Sequence, residues 1–494
     1  MYCDGAQIKY QLTHSEAAVV VLDSAALLPR FKGIGAACPD LKCVVMYNTE
    51  KSDLKKKVRK AVGVPVYTWE EFMARGADVE DAALDERIAA QKPGNCCTLI
   101  YTSGTTGVPK AVMISHDNAT WTARVTMECL GGRDEDREVS YLPLSHIAAQ
   151  MLDLHGPMQC GLQIFFAFPD ALKGTLPLTL KAAKPTVFFG VPRVWEKFYA
   201  ALSPLPPAVP SAARHAAVGL DQCRAAYTGA APIATEILEF FNSIDMPVLE
   251  VFGQSECTGP ATLSTPESSK FGMQYKIGWT GVSLPGSTVR VSPDTQEVVY
   301  TGRHIMMGYM KNPEKTAETI DEEGFLHSGD QGELDADGFL RITGRIKELI
   351  ITAGGENIAP VPIEKAIKKA LPCVSNAVVI GDRQRFCSVL LTLKVAVDEN
   401  GQPSGNELFG EALAESKAIG SSATTVEEAM DDPLWQAHIE AGIATANESA
   451  VSRAAKIKKW RLLPRDFTVT GGELGPTLKL KRPVVHEKNA AVIR

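Results

Sequence analysis

Ten residues, Tyr101-Thr-Ser-Gly-Thr-Thr-Gly-Val-Pro-Lys110, limit the folds open to this chain more than any other stretch. They lie between two apolar, β-rich runs of buried-strand length, Cys96-Cys-Thr-Leu-Ile-Tyr101 and Ala111-Val-Met-Ile-Ser115, so the stretch is a turn joining two strands. Gly104 and Gly107 let the backbone bend with its N–H groups pointing inward, Thr102, Ser103, Thr105 and Thr106 add hydroxyls, and Lys110 adds a cation. A concave set of donors of this kind suits phosphate oxygens. It is not the common P-loop, because the G-x-x-x-x-G-K-[ST] spacing is absent and the turn does not open a helix. A plain polar β-turn satisfies the same local residues, so the rest of the chain has to decide.

With 494 residues, the chain has length for two to four domains and ample material for a large core. The formal charge of −7, from 51 basic and 58 acidic residues, excludes an overall electrostatic footprint for nucleic acid. Charge is uneven, however. From Arg453 to Arg494 there are 11 Lys/Arg against 3 Asp/Glu, a segment suited to a phosphorylated ligand, to peripheral contact with an anionic membrane, or simply to solvent. Eleven cysteines without a C-x-x-C pair point to reduced thiols inside a cell rather than a disulfide framework or zinc site. No apolar run reaches membrane-spanning length and Met1-Tyr-Cys-Asp-Gly lacks the signal-peptide pattern, so a cytoplasmic location is expected.

The first ninety residues alternate strand-like runs (17–22, 42–47 and 64–69) with helix-like stretches such as 70–90, the order of a parallel α/β sheet. The first strand is expected without any flanking element before it, which suggests missing N-terminal sequence. After the turn, Asp117 is placed to cap a helix running to about Leu130, and a strand at 139–143 leads to His146. A lone histidine there is more often structural than catalytic. The aromatic runs 163–168 and 186–190 belong in a core, or line an apolar tunnel, core being the default. Residues 203–211 form a proline-rich connection, and 226–232 a turn of small residues where a flat ring could approach the backbone.

The strand at 248–252 runs into Gly253-Gln-Ser-Glu256. Ligands of an open parallel sheet collect at the carboxyl ends of its strands, which would put Glu256 and the first turn in one crevice. A carboxylate there could hold Mg²⁺ together with substrate phosphates, or merely cap a helix. Farther on, Asp330 lies on an Asp/Gly turn between short strands, and sheet-and-helix organisation restarts after Arg345 to Lys347, a candidate domain boundary. The chain finishes in a glycine-rich loop, 471–482, that delivers cations.

Six segments in this order, Tyr101–Lys110, Tyr141-Leu-Pro-Leu-Ser-His146, Tyr227-Thr-Gly-Ala-Ala-Pro232, Ser328-Gly-Asp330, Gly344-Arg-Ile-Lys-Glu348 and Pro476-Thr-Leu-Lys479, resemble the adenylate-forming superfamily. Within it, Ile350-Ile-Thr-Ala-Gly-Gly-Glu-Asn357 and the run 471–485 resemble the long-chain acyl-CoA synthetases of the bubblegum type. The resemblance implies an α/β fold: a large N-terminal α/β domain (1–344, N-terminally truncated) and a small mobile C-terminal α+β domain (345–494). It implies a ligase that activates a long-chain fatty acid with ATP and Mg²⁺ and passes the acyl group to coenzyme A. By the same resemblance, ATP is held by Thr102, Ser103, Gly104, Thr105, Thr106, Gly107, Val108, Pro109 and Lys110, by Gly229 and Ala230 beneath the adenine, and by Glu250, Val251, Phe252, Gly253, Gln254 and Ser255, with Phe252 stacking on the ring. Asp330 and Arg345 take the ribose side, Thr102 and Glu256 the metal, Lys347 the hinge, and Gly354 and Gly355 the coenzyme A side. Lys479 reaches the α-phosphate, while Lys481 and Arg482 read as solvated surface cations.

The sequence departs from the family pattern in a shorter N-terminal region, a proline-rich connection in place of a helical insert after Lys197, and a shorter turn over 292–301. Phe252 stands where tyrosine is usual, Gln254 where methionine is, and Ala111 where glycine is. The shortened regions leave an impaired nucleotide-binding relative, and an enzyme that loads a carrier protein, as alternative readings.

Overall fold

The computed structural model describes residues 5–48, 60–102, 109–397, 403–475 and 480–493. The chain divides into two compact units, residues 1–92 and 93–494. In the first, strands Val19–Leu22, Cys43–Met46 and Val66–Thr68 lie parallel, with Cys43–Met46 in the middle. That central strand is buried at every position, as a continuous apolar run in a parallel sheet should be. An 11-residue helix, Gly5–Ser15, precedes the first strand and sends Ile8 into the core, so the strand does not arrive unflanked as expected. The helical stretch over 70–90 is two helices, Trp69–Ala74 and Asp81–Ala89, the first opened by a Thr68–Glu71 capping box.

The second unit begins with an antiparallel pair, Cys96–Thr102 and Lys110–Ser115, in which Thr102 stands opposite Lys110. The two expected strands are therefore present and pair with each other, and residues 103–108, where the turn is expected, lie outside the described residues. Ser115, rather than Asp117, caps the following helix, His116–Leu130. Its hydroxyl accepts the Asn118 N–H at 3.0 Å while Asn118 Oδ1 accepts the Ser115 N–H at 2.9 Å, so two orphan donors are satisfied reciprocally. Asp117 sits in the first turn and pairs with Arg303.

The largest sheet runs Val187–Gly190, Ala225–Thr228 and Val248–Gln254 in parallel, then Gly259–Leu263 and Val282–Ser283 antiparallel. Phe188, Tyr227 and Leu249 pack from it into the main core with Trp195 and Phe241. The carboxyl ends of the three parallel strands put the turn at 229–232 beside residues 250–256. The phenylalanines of the other aromatic run do not enter the core, although Ile164 and Ala167 pack against it. Gln163–Phe166 pairs with Arg137–Ser140 in a two-stranded sheet and leaves Phe166 80% and Phe168 58% exposed, because no second layer covers that face among the described residues.

Strands Thr288–Val291, Glu297–Thr301, Leu326–Leu334 and Leu340–Arg345 form an antiparallel sheet that leads out of this part of the chain. From Ile350 onward the residues pack into their own core. It comprises helix Pro360–Ala370, the antiparallel pair Val374–Ile380 and Cys387–Leu393 with Ile457–Leu462 parallel beside it, and helix Pro433–Glu448, which contributes Trp435, Ile439 and Ile443. Arg482 is not a solvated cation. Its guanidinium reaches both Glu364 oxygens at 2.5 Å and Glu348 at 3.0 Å, tying the end of the chain to helix Pro360–Ala370 and to the turn after Arg345. No helix of the described residues is long and apolar enough to cross a membrane.

Candidate active site

Lys110 opens the strand that leaves the glycine-rich turn, and its Nζ donates to Tyr309 Oη at 2.8 Å. The same hydroxyl donates to Glu256 Oε1 at 2.8 Å in a buried contact, giving a directed chain from cation to phenol to carboxylate. Tyr309 is brought there by the two-residue strand Gly308–Tyr309, which pairs with Val112 and Met113 of the Lys110–Ser115 strand. Glu256 comes from the other side, on a single tight turn (Ser255–Cys257) at the carboxyl end of Val248–Gln254. Burial lowers the Lys110 pKa, with Glu256 opposing the shift and Lys347 and Lys315 adding to it. Burial and the Glu256 carboxylate both raise the Tyr309 pKa, so the phenol keeps its proton and acts as a donor. Thr102 Oγ1, across the strand pair from Lys110, is buried without a hydrogen-bond partner among the described residues.

The small turn after Ala225–Thr228 lies against the neighbouring strand. A Cβ at Gly229 would sit 2.9 Å from the Val251 carbonyl oxygen and 3.4 Å from the Phe189 ring, so the backbone approaches closely there, and Ala230 adopts φ +68°. The partner strand bulges between Phe252 and Gly253, where a Cβ would fall 1.9 Å from the Gly259 carbonyl oxygen. Phe252 meets Tyr300 edge-on at 6.3 Å, and Gln254 Nε2 donates to the Tyr300 hydroxyl. Ser255 follows directly.

Tyr300 links this region to the next, since its strand pairs with Leu326–Leu334, which carries Asp330. Asp330 is 3% exposed and stands opposite Arg345, whose Nε lies 2.7 Å from Asp330 Oδ1. Two residues on, Lys347 sits exposed in the turn Ile346–Glu348, near enough to Lys110 to depress its pKa. The structure thus links Lys110 to Glu256 through Tyr309 and sets Thr102 across the strand pair from Lys110, while Gly229 and Ala230 lie beside the Val251 to Ser255 end of one sheet and Asp330 and Arg345 face each other in another. Gly354 and Gly355 occupy an exposed turn between Ile350–Ile351 and Asn357–Ile358. Ser103, Gly104, Thr105, Thr106, Gly107, Val108 and Lys479 lie outside the described residues. His146 caps the short helix that follows it, its Nδ1 accepting the Ala148 N–H at 3.2 Å.

Glu250 turns its carboxylate to the Gly278 N–H, 2.8 Å away. Burial raises its pKa from 4.5 to about 7, while that N–H and Lys365 of helix Pro360–Ala370 pull it down. The native state holds a proton that the unfolded chain releases first, so this contribution to stability is complete below about pH 4.5 and is lost as pH rises through about 7. Glu250→Gln should therefore flatten that limb of the stability curve, as read by urea unfolding across the interval. An unchanged slope would remove Glu250 from the account.

Tyr309 and Tyr300 carry no sequence signal, because a single tyrosine within a short strand is ordinary core material. Their importance emerges from partners far apart in the chain.

The AMP-binding enzyme family model matches residues 3–310, and the AMP-binding enzyme C-terminal domain model matches residues 347–461. The chain is similar to the long-chain-fatty-acid–CoA ligase ACSBG2 of Xenopus laevis, at 44% identity over 96% of this chain and 69% of that protein. It is 46% identical to ACSBG2 of Gallus gallus over 91% of this chain and 64% of the relative, and 42% identical to human ACSBG1 over 96% and 70%. Among solved structures, ATP-bound MatB from Rhodopseudomonas palustris aligns with a TM-score of 0.68 at 20% identity, covering 100% of this chain and 83% of that one. The anthranilate CoA ligase AuaEII with anthranoyl-AMP aligns at 0.70 with 18% identity, covering 99% and 82%. These two likenesses establish the adenylate-forming fold. The family-model match and the identities above place the chain in the AMP-binding enzyme family, within its bubblegum-type long-chain-fatty-acid–CoA ligase group.

Proposed function

We propose that this chain is a long-chain fatty acid:CoA ligase, activating its substrate with ATP and Mg²⁺ and transferring the acyl group to coenzyme A. The observation that carries this reading is the Lys110–Tyr309–Glu256 chain, which starts from the first residue of the strand after the glycine-rich stretch. A carboxylate oxygen of the fatty acid attacks the α-phosphorus of ATP, the bond to pyrophosphate breaks, and an acyl-adenylate forms. The coenzyme A sulfur, having lost its proton, then attacks the acyl carbonyl and AMP leaves. For such a step the protein mainly positions groups and neutralises charge. Lys110 supplies a cation at the phosphates, Asp330 accepts from the ribose hydroxyls with Arg345 holding its carboxylate in place, and Phe252 with the Gly229–Ala230 turn encloses the adenine. The Thr102 hydroxyl and the Glu256 carboxylate are hard oxygen ligands that fit Mg²⁺, which when bound neutralises phosphate charge. Lys479 takes the α-phosphate in this proposal, on the strength of its motif. Each buried CH₂ of the acyl chain contributes roughly 0.8 kcal/mol, which favours long chains without selecting one.

Pyrophosphate release on adding palmitate to enzyme and ATP tests the function directly. Release should require the fatty acid, and CoA should convert it to continuous turnover with thioester appearing. Release that ignores the fatty acid, or none at all, would defeat the proposal. A thioester formed with a carrier protein but not with free CoA would replace the acceptor.

Tyr309→Phe should slow adenylation about tenfold to a hundredfold, because a hydrogen bond to a charged group contributes roughly 1.5–3 kcal/mol. Single-turnover pyrophosphate release measures this, and wild-type rates would mean that the phenol positions nothing. We also propose that residues 345–494 form the small mobile domain, supported by their separate core and the turn at Ile346–Glu348. Lys347→Pro, which fixes φ at the hinge, should slow thioester formation far more than adenylation. Equal rates for the two half-reactions would place the hinge elsewhere.

A further inference from the structure

In the C-terminal part of the chain, three elements converge on a cluster that plays no role in the chemistry above. Cys373 precedes strand Val374–Ile380, Glu415 lies on helix Glu411–Ala418, and His438 lies on helix Pro433–Glu448. The Cys373 Sγ, a Glu415 carboxylate oxygen and a His438 ring nitrogen all fall within 4.8 Å of one another. Glu415 Oε1 accepts the Cys373 backbone N–H at 3.0 Å, which orients the carboxylate, and Oε2 lies 2.7 Å from His438 Nε2.

The surroundings fix these side chains from behind and leave them open in front. Cys373 is fully buried, whereas the His438 and Glu415 side chains are 26% and 18% exposed, so solvent reaches the cluster from the imidazole side. The two helices that carry these residues are locked together by Trp435, which is itself buried, donates from Nε1 to Ser416 Oγ at 3.3 Å and meets the His438 ring edge-on at 5.9 Å. Lys394, the nearby cation, is paired with Glu411 at 2.9 Å.

One thiol, one imidazole and one carboxylate form a borderline donor set that suits zinc and is poorly matched to Mg²⁺ or Ca²⁺. Ligand atoms of a tetrahedral zinc site sit roughly 3.3–3.7 Å apart, so side-chain rotations of about an ångström would close the cluster around an ion. The Glu415–His438 contact would lengthen and the sulfur would move in. We propose that Cys373, Glu415 and His438 form a zinc site with its fourth position open to solvent, joining both helices to the edge of the sheet. Its sequence signature is invisible to a spacing search, because the ligands lie 42 and 23 residues apart on three separate elements.

Cobalt(II) titration of the full chain, stripped of metal with a chelator, tests the site independently of catalysis. One equivalent should produce a thiolate-to-cobalt charge-transfer band and the intense visible absorption of a tetrahedral ion, and zinc should displace both. Cys373→Ser should abolish the charge-transfer band, while Cys387→Ser, a buried thiol elsewhere in this core, should leave it. His438→Gln should weaken binding by more than the roughly 10–100-fold that residues supporting a metal ligand usually carry. His438 is partly exposed, so this variant serves if Cys373→Ser does not fold. No band at several equivalents of cobalt would overturn the proposal, as would a charge-transfer band that survives Cys373→Ser or a cobalt affinity that His438→Gln leaves unchanged.

Discussion

Glu256→Gln should lower acyl-adenylate formation by roughly 10²–10³-fold, the usual cost of removing one preorganised electrostatic group, and raised Mg²⁺ should restore part of the loss. Glu256 is 9% exposed and receives the Tyr309 hydroxyl at 2.8 Å, so the substitution keeps the shape and an acceptor oxygen while removing the charge. That charge faces Lys110 through the phenol. Tyr309 occupies one carboxylate oxygen, Oε1, as an acceptor and leaves Oε2 for a metal or a proton. A metal ligand and a general base respond differently to metal. A ligand that binds Mg²⁺ more weakly is compensated by mass action, whereas a missing base is not. Adenylation by Glu256→Gln, assayed across a Mg²⁺ titration, decides between them, and a defect of constant size at every concentration would remove Glu256 from the metal.

Local chemistry made the elements around this site readable before their arrangement was known. The runs at 96–101 and 111–115 are strands because β-branched and apolar residues dominate them, and the glycines and threonines between leave a turn as the only connection. The glycine after Phe252 is explained by a neighbouring backbone that leaves no room for a Cβ, although the sequence shows it simply as part of a strand end. Partnership was much less legible than position. Tyr309 lies 199 residues from Lys110 and 53 from Glu256, and nothing in its own neighbourhood announces either contact. Arg482 reads as one more cation in a basic run, yet it is held by two glutamates that precede it by 118 and 134 residues. Asp117 misled for a local reason, since a serine two positions earlier with an asparagine at its third following residue makes the stronger cap. The aromatic run at 163–168 misled for a global one. Hydrophobicity says that a side chain favours burial, but the architecture has to supply a covering layer.

Asp330→Ala should raise the KM for ATP by about a hundredfold or more, because Asp330 would accept both ribose hydroxyls and each hydrogen bond to a charged group contributes roughly 1.5–3 kcal/mol. The carboxylate is prepared for this in the free protein. Ser328 Oγ accepts the Asp330 N–H at 3.0 Å and donates to the Val298 carbonyl at 2.5 Å, and Gly329 supplies the φ of +72° that the turn needs. Arg345 holds Oδ1 at 2.7 Å from the opposite strand. Binding energy already present in the ground state affects KM more than kcat, and the ribose does not change during phosphoryl transfer. The alanine variant should consequently keep most of its turnover at saturating ATP. It should also fold, because the Arg345 side chain is 37% exposed and its guanidinium remains hydrated when its partner is lost. Asp330→Asn, which retains an acceptor but not the charge, should fall between the two. An ATP KM that does not move would take Asp330 off the ribose, and a collapse of kcat at unchanged KM would assign it to the chemical step instead.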